Sequence, residues 1–439
     1  MRQTLGVVLA LVMCLCSGGL LAQDVSGIWQ GSLPGSVKER LVLTVSKSKT
    51  GALSAQLLAV DHAQTNTVEP ITFQNGLLRF SLPDYGASFE GSLNPGAEAI
   101  AGTWRWSAKG SAIPLTLDHA TERTSWAVDH TVHKVAFITV EPGVKLEVVD
   151  WGGTGRPLVL LSGLGDTAHV FDTLGPELSV KYHVYGITRR GFGLSDTPQV
   201  VWQNYSADRL GDDVMAVLQQ LRVEHPVLLG HSIAGEELSS IGSRFPQRVA
   251  GLIYLEAGYP YALYVHSPNS IAVSWDEMRR KVDAISDAAT SQAKKALIRQ
   301  MLKTDLPEYE EELKQMSDAL QEIPDQPPPP EKTLSSRSYR VTQAVHDGEQ
   351  EYTRITCPLL AVFNEPTPPL LKPDADANAK AQAARFAVNV KGLHEQQQAF
   401  EALGSNARVV RVKDANHYVF RSNEEDVLRE VNAFIATLP

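Results

Sequence analysis

The chain has 439 residues, of which 43% are hydrophobic and 21% charged, which is enough apolar material for more than one core. We therefore expect two folded units and little disorder. Its 40 Lys and Arg residues against 50 Asp and Glu give a net charge of −10, which argues against a nucleic-acid partner or an anionic-membrane surface.

The first 22 residues are typical of a secretory signal peptide. Arg2 supplies one positive charge, and an uncharged stretch from Leu5 to Ala22 follows it. We predict a signal peptide over residues 1–22, cleavage near Gln23, and a secreted or periplasmic protein without stable membrane insertion. An uncleaved membrane anchor is the alternative, because a stretch of this length can just span a bilayer.

Residues 24–119 are predicted to form a small antiparallel β-barrel-like domain. Short apolar runs, at 41–45, 53–60 and 77–82, are separated by Gly, Asn, Pro and Asp. Gly27-Ile28-Trp29 and Gly102-Thr103-Trp104 look like strands that meet where the barrel closes. The stretch resembles small lipocalin-like barrels. Trp29 and Trp104 are interpreted as core residues, and no chemistry is assigned to this domain.

After a linker at 120–133, strands alternate with helical segments, which indicates a parallel sheet. The predicted strands are 135–140, 146–149, 158–161, 183–187, 227–229, 252–255, 359–363 and 408–412, with amphipathic helices at 210–221 and 424–435. This predicts an α/β architecture, with a mostly parallel eight-stranded sheet and helices on both faces. The sheet is divided between residues 134–257 and 357–439.

Residues 258–356 break the alternation and are predicted to form an inserted helical cap. Helix-prone stretches at 276–289 and 291–316 precede the proline run at 327–330, which we interpret as a stiff spacer. The cap contains four aromatic side chains, Tyr259, Tyr261, Tyr264 and Trp275. They suggest an apolar pocket, although the same residues are equally suited to packing the cap.

The most informative segment runs from an apolar strand into Gly230-His231-Ser232-Ile233-Ala234-Gly235 and then a helix. A serine in this context is held on a tight strand-to-helix corner above the sheet edge, where it can act as a nucleophile. The alternative is a serine that caps the N-terminus of a helix.

These residues carry a family resemblance: residues 134–439, without the insertion, resemble the α/β-hydrolases in motif content and order. The family signature is G-x-S-x-G, and here Ala234 replaces the second glycine. Arg190-Gly191-Phe192-Gly193-Leu194-Ser195 matches the family's R-G-x-G-x-S segment, with Thr188 where an aspartate is common. That segment is expected to form a turn rather than to take part in catalysis.

The resemblance also implies two oxyanion donors. One is the backbone N–H of Ile233, after the nucleophile, and the other is the N–H of Leu164 in the turn Ser162-Gly163-Leu164-Gly165-Asp166. The family usually has histidine at position 162, so hydrogen bonding around Ser162 is expected to differ.

A serine nucleophile needs a general base, and His417 is the predicted one. It follows the last strand and precedes the C-terminal helix, where the family places its histidine. His231 is a poorer candidate because it is expected to point elsewhere. His130 and His133 have a ligand-like spacing but lack a carboxylate or cysteine cluster, so no metal is predicted.

The triad acid has competing candidates. The usual position after the seventh strand lacks an aspartate and offers Glu365, with Asp374 and Asp376 further on. The sixth strand ends at Glu256, an arrangement that resembles the haloalkane dehalogenases. We favour Glu256, with Glu365 as the second choice.

The resemblance implies a serine hydrolase that forms an acyl-enzyme, with carboxylic ester hydrolysis preferred. Aminopeptidase or carbon–carbon bond hydrolase activity, or an inactive binding protein with this fold, remain alternatives. Dehalogenase and epoxide hydrolase chemistry are disfavoured because those relatives use an aspartate nucleophile. The expected partner is a small-molecule ester or acyl substrate, no cofactor is predicted, and the oligomeric state is left open.

Overall fold

A computed structural model describes residues 24–34, 39–62, 64–83, 85–106, 111–127, 132–257, 263, 271–321, 337–365 and 377–439. The predicted signal peptide, the proline run and the three cap tyrosines at 259, 261 and 264 lie outside these ranges. Across the ranges that are described, every helix is too short or too polar to cross a membrane.

Nine antiparallel strands form the N-terminal sheet. They are β1 (Gly27–Leu33), β2 (Glu39–Lys47), β3 (Leu53–Ala59), β4 (Gln64–Val68), β5 (Ile71–Gln74), β6 (Leu77–Leu82), β7 (Ala87–Leu93), β8 (Ala99–Arg105) and β9 (Ile113–Ala120). Their order is β4-β3-β2-β1-β9-β8-β7-β6-β5. Because β3 and β4 also contact β5 and β6, the sheet curls into a nearly closed barrel. The predicted antiparallel barrel-like unit is confirmed.

The barrel core follows from alternation along its strands. In β7, for example, Ala87, Phe89, Gly91 and Leu93 are buried while the residues between them are more exposed. Trp29 and Trp104 are each only 1% exposed, in agreement with their interpretation as core residues.

The two Gly-x-Trp strands do not meet at a closure, and that expectation was wrong. β9 lies between β1 and β8 and pairs with both, while β4 and β5 form the two edges of the sheet. Gly102 is needed for close packing within the sheet instead. A Cβ on it would lie 2.3 Å from the carbonyl oxygen of Glu90.

The second sheet has eight strands, all at the predicted positions. They are β10 (Lys134–Glu141), β11 (Val144–Gly152), β12 (Pro157–Leu161), β13 (His183–Ile187), β14 (Val227–His231), β15 (Gly251–Leu255), β16 (Leu359–Glu365) and β17 (Ala407–Lys413). Their order is β10-β11-β13-β12-β14-β15-β16-β17. The pairs β10–β11 and β11–β13 are antiparallel and the other five are parallel, which confirms the predicted mostly parallel sheet.

Helices accompany this sheet and the segment inserted between β15 and β16. They are α1 (Leu174–Ser179), α2 (Ala207–Leu221), α3 (Gly235–Arg244), α4 (Ile271–Asp287), α5 (Ser291–Gln300), α6 (Leu306–Gln321), α7 (Arg337–His346), α8 (Ala377–Glu401), α9 (Val419–Ser422) and α10 (Glu424–Ile435). A π-helical turn at Met301–Asp305 joins α5 to α6. The helices α4 to α6 cover the two helix-prone stretches predicted for the cap.

Each face of the second sheet has its own core, because its central strands are buried on both sides. Leu228 packs with α2 and α3 on one face, whereas its neighbour Leu229 packs with α1 and α10 on the other. In the cap, Trp275 is 55% exposed and its ring lies 5.9 Å from that of Tyr309. That contact favours cap packing for Trp275 over a pocket-lining role.

Candidate active site

The predicted nucleophile Ser232 lies between β14 and α3. Its φ is +54°, a left-handed conformation that non-glycine residues rarely adopt and that marks a sharp strand-to-helix corner. A Cβ at Gly230 would lie 2.9 Å from Leu238 Cδ1 and 3.0 Å from the Cβ of Ala234. Glycine is therefore required at 230, while the methyl group of Ala234 fits in place of the family's second glycine.

The predicted base is in contact with this serine. His417 follows β17 and precedes α9, and its Nε2 lies 3.0 Å from Oγ of Ser232. The two residues are 185 positions apart in the chain, so only the fold brings them together. The distance is within hydrogen-bond reach for a nucleophile and its base.

Glu256 completes the arrangement on the other side of the imidazole. Its Oε2 lies 3.5 Å from Nδ1 of His417, and its side chain is only 9% exposed. Oε1 of the same carboxylate accepts a hydrogen bond from the backbone N–H of Asn364. Because His231 pairs with Leu255 in the sheet, Ser232 and Glu256 leave adjacent strands at the same edge.

The alternative acids are placed differently. Glu365 is exposed at the end of β16, and within the described residues no ion pair joins it to His417. Asp374 and Asp376 lie outside the described residues. The seventh strand thus contributes a backbone donor to Glu256, through Asn364, rather than a described carboxylate to His417.

The predicted oxyanion turn, residues 162–166, lies directly against the nucleophile corner. Leu161 pairs with Gly230 in the sheet, and a Cβ on Gly163 would lie 2.9 Å from Nδ1 of His231. Gly163 of this turn therefore lies so close to the His231 ring that a residue with a side chain would clash with it. The predicted donors Leu164 and Ile233 belong to these two adjoining segments, and Ile233 is 1% exposed.

Sequence reasoning missed the buried arginine that holds this turn. The guanidinium of Arg189 donates to the carbonyl oxygens of Ser162 at 2.9 Å and Gly163 at 3.2 Å. It also forms an ion pair with Glu237, at the start of α3 behind the nucleophile. Both charged side chains are 4% exposed. The only sequence signal was a charged residue directly before the Arg190 motif.

The Arg190 motif itself has the predicted structural role. Arg190 is fully buried and donates to both carboxylate oxygens of Asp213 at 2.6 Å. Ser195 donates to the carbonyl of Thr188 at 2.7 Å and accepts from the N–H of Glu147 at 2.9 Å. These contacts fix the conformation of the turn.

His231 is buried beneath the predicted base. Its Nε2–H donates to the carbonyl oxygen of His417 at 2.9 Å, and the two rings are 4.7 Å apart. Complete burial, together with the nearby His417, holds the pKa of His231 well below its ordinary value. His231 therefore stays neutral and supports the His417 backbone instead of reaching Ser232. Of the two other histidines considered, His133 contacts the His169 ring and His130 lies outside the described residues.

The N-terminal barrel also contacts the oxyanion turn and the segment that carries His417. His62, after β3, lies 2.8 Å from a carboxylate oxygen of Asp166 in the oxyanion turn and also contacts Glu39. Burial lowers the pKa of His62, but the hydrogen bonds to the Asp166 and Glu39 carboxylates outweigh burial and raise it to about 9. Asp61, beside it, forms a 2.9 Å ion pair with Arg421, close after His417.

Comparisons with known proteins bear on the fold of this chain. A family model described as "alpha/beta hydrolase fold" matches residues 156–356. The protein has the α/β-hydrolase fold. The AB hydrolase superfamily protein YisY of Bacillus subtilis is 34% identical over 142 residues, which is 29% of this chain and 50% of that protein. The bifunctional esterase/perhydrolase DCH of Acinetobacter calcoaceticus is 29% identical over 141 residues, 30% of this chain and 48% of that protein.

Among solved structures, E-2-(acetamidomethylene)succinate hydrolase aligns with a TM-score of 0.42 and 19% identity, covering 70% of this chain and all of the other. The chain spans about half the length of the two curated relatives named above. The family model thus supports the α/β-hydrolase fold for this chain.

Proposed function

We propose that the protein is a serine hydrolase that cleaves carboxylic esters through an acyl-enzyme. The observation that carries this proposal is the Ser232 Oγ to His417 Nε2 distance of 3.0 Å, with Glu256 at 3.5 Å from Nδ1 of the same ring. A nucleophile, a base and a group that orients the base in this order are what acyl transfer requires.

In the acylation step, Oγ of Ser232 attacks the ester carbonyl carbon while the hydroxyl proton passes to Nε2 of His417. The carbonyl π pair moves onto oxygen, and we assign the N–H groups of Leu164 and Ile233 to stabilise that oxyanion. When the carbonyl re-forms, the bond to the alkoxy group breaks. The leaving oxygen takes the proton from Nε2, and the acyl group stays on Ser232.

In the deacylation step, a water molecule attacks the acyl carbon and gives its proton to His417. As the second tetrahedral intermediate collapses, the bond between the acyl carbon and Oγ of Ser232 breaks, His417 returns the proton to Oγ, and the acid leaves. In both steps the Glu256 carboxylate stabilises the imidazolium and keeps Nδ1 protonated. The N–H of Asn364 fixes that carboxylate on its other oxygen, so the acid is oriented by the backbone of β16.

The decisive experiment is labelling with a fluorophosphonate probe, followed by mass spectrometry of the modified peptide. We expect one covalent adduct on Ser232, together with turnover of p-nitrophenyl esters. A panel of aminoacyl anilides run alongside separates esterase from aminopeptidase activity. Absence of both labelling and turnover in folded protein would instead support a binding protein with this fold.

We also propose that the protein is exported. The support is the sequence of residues 1–22, with its single positive charge followed by an uncharged apolar stretch. Expression of the full chain and mass measurement of the product tests this. A mature N-terminus near Gln23 outside the cytoplasm is expected, whereas intact protein that begins at Met1 in membranes would support the anchor.

A further inference from the structure

A cavity lies between the N-terminal barrel and the predicted oxyanion turn. Its volume is about 450 Å³. Sites for small organic ligands typically measure about 300–1,000 Å³ and are mostly apolar with a few polar groups. The cavity is thus large enough for part of a substrate.

The walls of this cavity come from both units. Four barrel side chains, Leu41, Leu57, Trp104 and Trp106, face Leu164 and Tyr418 of the hydrolase fold. Leu164 is a predicted oxyanion donor, and Tyr418 follows the predicted base His417 directly in the chain. The cavity therefore adjoins both loops that carry the proposed chemistry.

One donor in this apolar wall is unpartnered among the described residues. The indole Nε1 of Trp104 is buried and has no hydrogen-bond acceptor among the described residues. The same residue lines the cavity. The other core tryptophan of the barrel, Trp29, donates its N–H to the carbonyl of Val25 at 2.8 Å. Because an unsatisfied buried N–H is costly, the difference marks Trp104 as a donor suited to a ligand acceptor.

The barrel is held firmly enough to form such a wall. Asp166 joins the two units, since it contacts His62 of the barrel at 2.8 Å and accepts from the Tyr418 hydroxyl at 3.2 Å. The ion pair between Asp61 and Arg421 adds a second link. Both links lie at the loops that border the cavity, so the barrel has a fixed position against the site.

We propose that the N-terminal barrel supplies one wall of the substrate site, and that the cavity binds an apolar arm of the ester with an oxygen acceptor for Trp104 Nε1. The inference rests on the proposed ester hydrolysis and names its substrate class: esters with an extended, mainly apolar arm. The barrel, to which the sequence assigned no chemistry, becomes part of the specificity of the enzyme.

Two variants that fill the cavity test the apolar arm. Ala59→Trp acts at the end of β3, and Asn66→Trp acts on edge strand β4, where added bulk is more easily tolerated. Gln56→Trp and Thr67→Trp are matched controls, because they place the same ring on exposed positions of the same strands. Two ester series are used: p-nitrophenyl esters of lengthening acyl chain and acetates of lengthening alcohol.

For the native protein, kcat/KM should rise with length in one series, and that series identifies the arm as acyl or alkoxy. In the filled variants, kcat/KM for the longest ester should be about tenfold lower than in the native protein, while kcat/KM for the shortest ester should stay within about twofold of the native value. The control variants should behave like the native protein. If the filled variants that fold keep the native length preference, or if neither series shows one, the proposal is overturned.

Binding without turnover separates this inference from the proposed function. Ser232→Ala is titrated with p-nitrophenyl decanoate and octyl acetate by calorimetry, alone and combined with Asn66→Trp. Binding that Asn66→Trp weakens by about tenfold or more supports the cavity even if no ester is hydrolysed, in which case the proposed function alone fails. Binding that Asn66→Trp leaves unchanged overturns the cavity proposal. Failure of both esters to bind overturns the cavity proposal.

The indole donor has its own matched pair. Trp104→Phe should weaken binding of an ester with an ether oxygen in its arm by roughly three- to tenfold relative to the all-carbon ester, the value of one hydrogen bond. Trp29→Phe should leave that ratio unchanged, because its indole already has a backbone acceptor. Equal ratios in native protein and Trp104→Phe, at every ether position tried, would overturn the assignment of Trp104.

Discussion

Nδ1 of His62 in the N-terminal barrel lies 2.8 Å from Oδ1 of Asp166 in the oxyanion turn, although the two residues are 104 positions apart in the chain. The imidazole also contacts Glu39, so two carboxylates share one cation. Asp166 in turn accepts from Tyr418, which follows the predicted base. One carboxylate therefore links the barrel to both loops of the proposed active site.

This contact predicts a pH-dependent contribution to stability. The pKa of His62 is raised from its ordinary 6.5 to about 9, so protonation favours the folded state. The contribution is fully present below pH 6.5 and is lost as the pH rises through about 9. At about 1.4 kcal/mol per pKa unit it amounts to about 3 kcal/mol.

Urea unfolding of the native protein and His62→Gln at pH 6 and pH 10 measures this contribution. The variant should be less stable than the native protein at pH 6, and the gap should narrow at pH 10. An equal difference in unfolding free energy between the native protein and the variant at pH 6 and at pH 10 would show that His62 does not carry the charge assigned to it.

Ser232→Ala should fold normally and lose at least about a thousandfold in kcat, since members of a triad act as a unit. Steady-state kinetics on the best p-nitrophenyl ester measures the loss, and the unfolding midpoint serves as the folding control. Near-native turnover would remove Ser232 from the chemistry.

Glu256→Gln should lower kcat by about a hundredfold or more. The N–H of Asn364 will orient the new amide oxygen, which leaves the amide NH₂ facing Nδ1 of His417 and favours the wrong tautomer. Glu365→Gln is the matched control and should have little effect, since Glu365 is exposed. The reverse pattern in kcat would place the acid after the seventh strand.

Arg189→Met should destabilise the fold by about 3–5 kcal/mol, because it leaves the Glu237 charge buried without its partner. Adding Glu237→Leu should recover most of that stability. The double variant should still turn over esters more slowly, since the Ser162 and Gly163 carbonyls have lost the guanidinium that holds the oxyanion turn. Native kcat in a stable double variant would show that Arg189 has no positioning role.

The sequence was sufficient to predict the strands of the second sheet and the candidate residues at its edge. Its strands are continuous apolar runs that end in residues with distinctive chemistry, and such local patterns can be read without contacts. Ser232 and His417 stood out because each follows a recognisable strand in the order of a familiar fold. Glu256 was favoured over Glu365, and the structure brings Glu256, not Glu365, to His417.

Other features depended on tertiary structure, because they join segments that share no local pattern. The Gly-x-Trp strands looked like neighbours, but strand order is set by long-range pairing, and β9 separates them. Arg189 and Glu237 are ordinary charged residues in sequence and become a buried pair only when β13 and α3 pack together. The position of the barrel over the site is determined by contacts such as His62–Asp166. The type of each residue and the spacing of apolar residues predict a single strand or helix. Contacts between distant segments exist only after those segments have folded against each other.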